Sequence, residues 1–165
     1  MTYSRFEELP VWQEAISLAE NTYDMTETKS WPGSWSLRDQ LERAALSVSN
    51  NIAEGFERGT TNELLAFIYI ARGSAGEVRS MLCLLERRPR FKDLKSQISN
   101  LKSLAEMCSR QLRGWAEHLQ NSEIKGQRHL NEKTRAGYQS KKEAKEFEKE
   151  LWEKLPPDHP LRKGK

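Results

Sequence analysis

The sequence predicts an all-α protein, an up-down-up-down antiparallel four-helix bundle followed by a charged C-terminal extension. Three observations predict it. Apolar residues recur at three- and four-residue spacing through four long segments; the breaks between these are short and carry Pro, Gly or Ser; and no stretch sustains the apolar–polar alternation of a strand. Long amphipathic helices with short connections bury their stripes against one another as antiparallel neighbours.

The first helix is predicted over 10–28, where Val11, Ala15, Leu18, Thr22 and Met25 recur on one face with Trp12, Ile16, Ala19 and Tyr23 beside them. Pro10 suits the first turn, because its missing N–H has no intrahelical partner there in any case. Pro32 and Gly33 then break the period, and Ser34 or Ser36 can cap a second helix over 37–58 with Leu37, Leu41, Ala44, Val48, Ile52 and Gly55 or Phe56 inward. Gly59 is expected to end that helix in the left-handed conformation. Thr60 with Glu63 makes a capping box for the third helix, each side chain satisfying a backbone N–H.

Along the third helix Leu64, Phe67, Ala71, Ser74, Val78, Met81 and Leu85 form a seam with one polar insertion. Leu65, Ile68, Ala75 and Leu82 form a second stripe, more apolar surface than one seam requires, which points to burial by a neighbouring subunit. Pro89 ends this helix, and Phe91, Leu94, Ile98, Leu101, Ala105, Cys108, Leu112, Trp115 and Leu119 carry the alternation through the fourth. The bundle is therefore assigned to 1–120 and the extension to 121–165. In the extension Gly126 and Gly137 mark weak points, a fifth helix is predicted over 134–155 on a narrow stripe of Ala144, Phe147, Leu151 and Leu155, and the proline-bearing end after it is expected to be irregular.

Composition bounds the function. Nothing approaches the run of about 20 apolar residues that spans a bilayer, and the first 13 residues lack the basic start and apolar run of a secretory signal, so a cytoplasmic protein without membrane partners is expected. Cys83 and Cys108 fall inside helical patterns without Cys or His at metal spacing, and are expected to be buried, reduced thiols. His118, His129 and His159 stand alone, and the tryptophans read as core and loop anchors, Trp12 and Trp115 on seams and Trp31 and Trp35 around the first turn. No nucleophile stands near a base, so no catalytic residues, metal or cofactor are expected.

Two groups of residues remain as candidates. Ser47, Asn51 and Glu54 make a ridge on the second helix, and Ile70, Gly73 and Glu77 one on the third, with Ser74 between. Gly73 and Ala66 would let the backbones approach, and Arg43 or Arg72 would neutralise Glu54 or Glu77. The reading is a polar network that sets helix register, with a ligand pocket at Asn50, Asn51 and Glu54 as its alternative. The second group is basic: Arg87, Arg88, Arg90, Lys92 and Lys95 around the third turn, opposed there only by Asp93, with Arg72 and Arg79 in a row on the third helix. Clustered cations of this kind meet phosphates together. Lys141, Lys142, Lys145 and Lys149 form a weaker cluster among nearly equal numbers of Glu. Of the 27 Lys and Arg, 15 lie in 1–120 against 16 Asp and Glu, and 12 in 121–165 against 8, so the tail holds the basic excess.

The combination Leu9-x-Val11-Trp12-x-x-Ala15, Leu37-x-x-Gln40-x-x-Arg43-Ala44-x-x-Ser47, Asn51-Ile52-Ala53-Glu54-Gly55 with Arg58, and Ile70-Ala71-x-Gly73-Ser74-x-x-Glu77 resembles a bacterial four-helix-bundle family. That family was first noticed as proteins encoded in intervening sequences of 23S rRNA genes, and it includes the accessory variability proteins of diversity-generating retroelements. The resemblance covers about 6–119. It implies a barrel-like homopentamer with a basic surface for nucleic acid and, in the retroelement members, for a reverse transcriptase. The leading expectation is thus a non-catalytic homo-oligomeric adaptor binding template RNA beside a reverse transcriptase. The alternative is a structural or small-ligand-binding oligomer of the intervening-sequence family without that partner.

Overall fold

A computed structural model of the chain describes residues 3–121 and 132–154 and, within the second stretch, the side chains of Ser140 and of 142–154. The described chain divides into two units, 1–128 and 129–165. In the first, a 3₁₀ turn at Phe6–Glu8 leads into α1 (Pro10–Thr26), α2 (Trp35–Glu57), α3 (Thr61–Glu86), a second 3₁₀ turn at Pro89–Leu94, and α4 (Lys95–Gln120). Each helix touches two others, α1 against α2 and α4, and α3 against α2 and α4, which closes the bundle. In the second unit α5 spans Glu132–Lys154, so Gly137 lies within a helix rather than interrupting it. No strand occurs among the described residues. Gly126, His129, His159 and the proline-bearing end lie outside them.

Local chemistry explains most boundaries. Pro10 occupies the first turn of α1, and the Ser34 hydroxyl accepts from the Leu37 N–H at 3.3 Å to start α2. At α3 the Thr60 hydroxyl accepts from the Glu63 N–H at 3.2 Å and donates to the Glu63 carboxylate at 2.7 Å. The box is therefore closed side chain to side chain, not by Glu63 reaching the Thr60 N–H. The expectation for Gly59 is also corrected: no described glycine has positive φ. Arg58, extended at φ −72° and ψ 147°, ends α2 and donates its N–H to the Gly55 carbonyl at 3.3 Å. With only three residues between the helices, an extended residue turns the chain without a left-handed one.

The core is one cluster from all four helices, including Leu18, Met25, Leu41, Ile52, Leu64, Ile68, Leu82, Leu85, Ile98, Leu101 and Leu112. On α3 the stripe at its centre is Leu64, Ile68, Ala71, Ala75, Val78, Leu82 and Leu85, all fully buried, while Phe67, Ser74 and Met81 are half-buried. This corrects the sequence reading, which placed Ile68, Ala75 and Leu82 on a stripe awaiting another subunit. α3 sits between α2 and α4 and buries a face wider than one seam. Phe91 and Leu94 are core residues as expected, but they stand on the 3₁₀ turn before α4. There the Phe91 ring meets Trp31 edge-on at 5.3 Å, which ties the connection after α1 to the one after α3. Trp35 is 78% exposed and anchors nothing.

Candidate nucleic-acid interface

The polar residues of α2 and α3 form three separate sets. At the centre Asn51 donates through Nδ2 to the Ser47 carbonyl at 2.7 Å and to Ser47 Oγ at 3.0 Å. Ser47 Oγ stands 2.9 Å from Ser74 Oγ, which donates to the Ile70 carbonyl at 3.2 Å, leaving the Ser47 hydroxyl to bridge the helices. Toward the start of α2, Gln40 donates to Glu77 and accepts from Arg43 at 2.9 Å, while Arg43 also meets Asp39 at 3.2 Å. Arg43 thus reaches Glu77 only through Gln40. At the other end Glu54 pairs with Arg58, four residues on, and not with Arg43 or Arg72. The pairing partners differ from those expected because i, i+4 neighbours on one helix are closer than residues across the seam.

Gly73 does not bring the backbones together, since a Cβ added there meets nothing within 4 Å, and Ala66 is exposed. Gly55 does: an added Cβ would stand 2.6 Å from the Phe67 Cβ and 3.2 Å from Leu64. A further set escaped the sequence reading altogether. Buried Thr26 donates to Glu42, whose carboxylate also takes Arg38 at 2.7 Å, and Arg38 reaches Glu27 at 3.5 Å. The i, i+4 pair Arg38–Glu42 was the available signal; its link to α1 appears only in three dimensions. Asn50 is exposed, and the Asn51 amide is spent within α2, so neither points to a pocket.

The cations of the bundle differ in pairing, and Lys29 after α1 and Arg110 on α4 are exposed without an ion pair among the described residues. Arg5, Arg38, Arg43, Arg58, Lys102 and Arg113 each hold a carboxylate within 4 Å. Arg72, Arg79, Arg87, Arg88, Arg90, Lys92 and Lys95 have no ion pair among the described residues, and all but half-buried Arg72 are exposed. Arg87 caps the end of α3, Arg88 to Lys92 follow through the 3₁₀ turn, and Lys95 opens α4. Pro89 holds its own φ near −65°, and buried Phe91, with the Arg90 guanidinium 5.5 Å from its ring, anchors the turn from below. The site is therefore a rigid corner presenting cations outward. Glu86 beside it is held below the usual carboxylate range first by its 2.8 Å bond to Lys102, then more weakly by Lys95 and Arg87. Arg79 precedes Arg87 by eight residues, about 12 Å along the axis at 1.5 Å per residue. Such an arrangement can attract phosphate by charge.

Elsewhere, Cys108 is buried, and burial pushes its thiol up to about 12. Cys83 is only half-buried, against expectation, with Lys102 close enough to feel it. Lys142, Lys145 and Lys149 are exposed on α5; the Lys141 side chain lies outside the described residues. Among the described residues no three His, Cys, Asp or Glu stand together as a metal would need, and no helix is long and apolar enough to cross a membrane. A family model described as the 23S rRNA-intervening sequence protein matches residues 7–114, within the span of the motifs above. No curated protein matches the chain.

Proposed function

The chain belongs to the 23S rRNA-intervening sequence protein family, and from that premise we propose that it is a non-catalytic, homo-oligomeric adaptor that binds structured RNA or an RNA–DNA hybrid in the cytoplasm. The observation that carries the reading is the division of cations: apart from Lys29 and Arg110, the others of the bundle are neutralised within the subunit, while seven at or leading to the α3–α4 corner are not. A folded protein keeps such repulsion at one place when an external polyanion relieves it. Arg87, Arg88, Arg90, Lys92 and Lys95 supply phosphate contacts from the corner, and Arg79 with Arg72 extends the track along α3. The reverse-transcriptase partner of retroelement members rests on the resemblance alone.

Self-association draws on what remains exposed once Ile68, Ala75 and Leu82 are inside. Leu46 and Ile70 lie within a turn of the Ser47–Ser74 contact, Ile70 being 52% exposed, with Tyr69 and Leu84 on the same helix at 43% and 46%. The oligomer, a pentamer by the resemblance, buries these.

The test measures RNA and RNA–DNA binding by the purified protein across salt concentrations. Each phosphate contact adds about 0.7–0.9 to the slope of log affinity against log salt. Converting Arg87, Arg88, Arg90 and Lys92 together to Ala is expected to lower that slope by about 3 and weaken binding more than tenfold at about 50 mM salt. A wild-type protein that binds neither nucleic acid at that salt ends the proposal. Binding with no capture of a co-expressed retroelement reverse transcriptase leaves the family's structural, partnerless reading for that part.

A further inference from the structure

Two carboxylates fall within the span of the basic corner, Glu86 at the end of α3 and Asp93 in the 3₁₀ turn, and Asp93 has no ion pair among the described residues. Glu86 is the one within reach of several cations. Lys102 bonds it at 2.8 Å, while Lys95 and Arg87 act on it through space. Lys95 and Lys102 are seven residues apart, hence on one face of α4 and about 10 Å apart along its axis at 1.5 Å per residue. Lys102 has another acid one turn further along α4, exposed Glu106, which holds no ion pair among the described residues, yet its ammonium crosses to α3. Cys83, three residues before Glu86, lies close to the same ammonium, which places Lys102 over α3.

The Glu86 side chain is 46% exposed and that of Lys102 31%, so the carboxylate keeps the freedom to turn to another cation once Lys102 is removed. A carboxylate released beside Arg87 and Lys95 pairs with one of them. That pairing takes a cation from phosphate and sets a negative charge where a phosphate has to approach. We propose that Lys102 is a positioning residue for the corner: by holding Glu86 it keeps Arg87 and Lys95 available to phosphate, without touching the nucleic acid itself. The role rests on the corner's binding nucleic acid. It differs from a stabilising role, because an ion pair this exposed contributes little to stability.

The test measures binding of a labelled RNA hairpin by the full-length protein from about 50 to 200 mM salt, in wild type, Lys102→Met, Glu86→Gln and the double variant. Lys102→Met should weaken binding about fivefold or more at the low-salt end and lower the slope of log affinity against log salt by about 0.7–0.9, the share of one captured cation. Adding Glu86→Gln should return the affinity to within about twofold of wild type, whereas Glu86→Gln alone should change it by less than about twofold. A variant that had merely lost its fold would not be restored in this way. Weakening that Glu86→Gln fails to restore would make Lys102 a phosphate contact. Strengthening by Glu86→Gln to the same degree in both backgrounds would reduce the pair to its net charge, and an unchanged Lys102→Met would show that Glu86 leaves Arg87 and Lys95 alone. Each of these overturns the proposal and leaves the corner standing. A wild-type protein that binds no hairpin ends the reading of the corner, and this role with it.

Discussion

The two thiols show how far a residue's type falls short of its environment. Both sit in helical patterns and read alike, yet Cys108 is fully buried on the core face of α4 while Cys83 stands half-buried near Lys102. The raised Cys108 thiol carries a stability consequence. Its value in the fold, about 12, lies above the ordinary 9.0, so its contribution is fully present below pH 9 and is lost as pH rises from there toward 12. Unfolding free energy against pH should fall less steeply across that window in Cys108→Ala, although the variant is less stable throughout. In the folded protein a maleimide should label Cys83 and spare Cys108. Rapid labelling of both under native conditions contradicts the burial argument.

Between elements, the decisive contact is the approach of α2 to α3, and the glycine that permits it is Gly55 rather than Gly73. Sequence spacing put Gly73 on the ridge with Ile70 and Glu77, which is correct as helix geometry. Only the packing shows that this ridge position opens outward, while Gly55 lies under Phe67 and Leu64. Gly55→Ala should cost about 1–3 kcal/mol, because the added methyl forces the Phe67 stem away. Gly73→Ala should raise the stability of the isolated subunit by about 0.5–1 kcal/mol, through helix propensity in open space. Urea denaturation of both variants checks the pair; equal effects would mean that the two helices meet in some other register. The same logic applies to the α3 stripe. Residues 64, 71, 78 and 85 belong to both candidate seams, so the period located the helix correctly and could not choose between Phe67–Ser74–Met81 and Ile68–Ala75–Leu82.

For the whole molecule, the question is which surface remains for other molecules. Burying Ile68, Ala75 and Leu82 inside one chain leaves Leu46, Tyr69, Ile70 and Leu84, with Trp35 at the start of α2, as the exposed large apolar residues of α2 and α3. Ile70→Glu with Leu46→Glu should lower the mass seen by sedimentation to that of a single chain, with helical content unchanged, since exposed positions tolerate charge within about 0.5 kcal/mol. A wild-type protein that is already monomeric at micromolar concentration removes that interface.

By itself the sequence determined the helices, most of their caps and the basic corner, because helical period, N-cap chemistry and charge clustering are local properties written within a few turns. Ser34, Thr60 and the run from Arg87 to Lys95 were legible for that reason. Tertiary structure alone decided which stripe of α3 is core, that Gly55 is the close approach, that Arg43 meets Glu77 through Gln40, and that Thr26 joins Glu42 and Arg38. It also decided which cations are spent within the fold and which face outward. Each of these depends on how one helix is rotated against another, and that rotation is set by the joint packing of all four, which no single helix's periodicity contains.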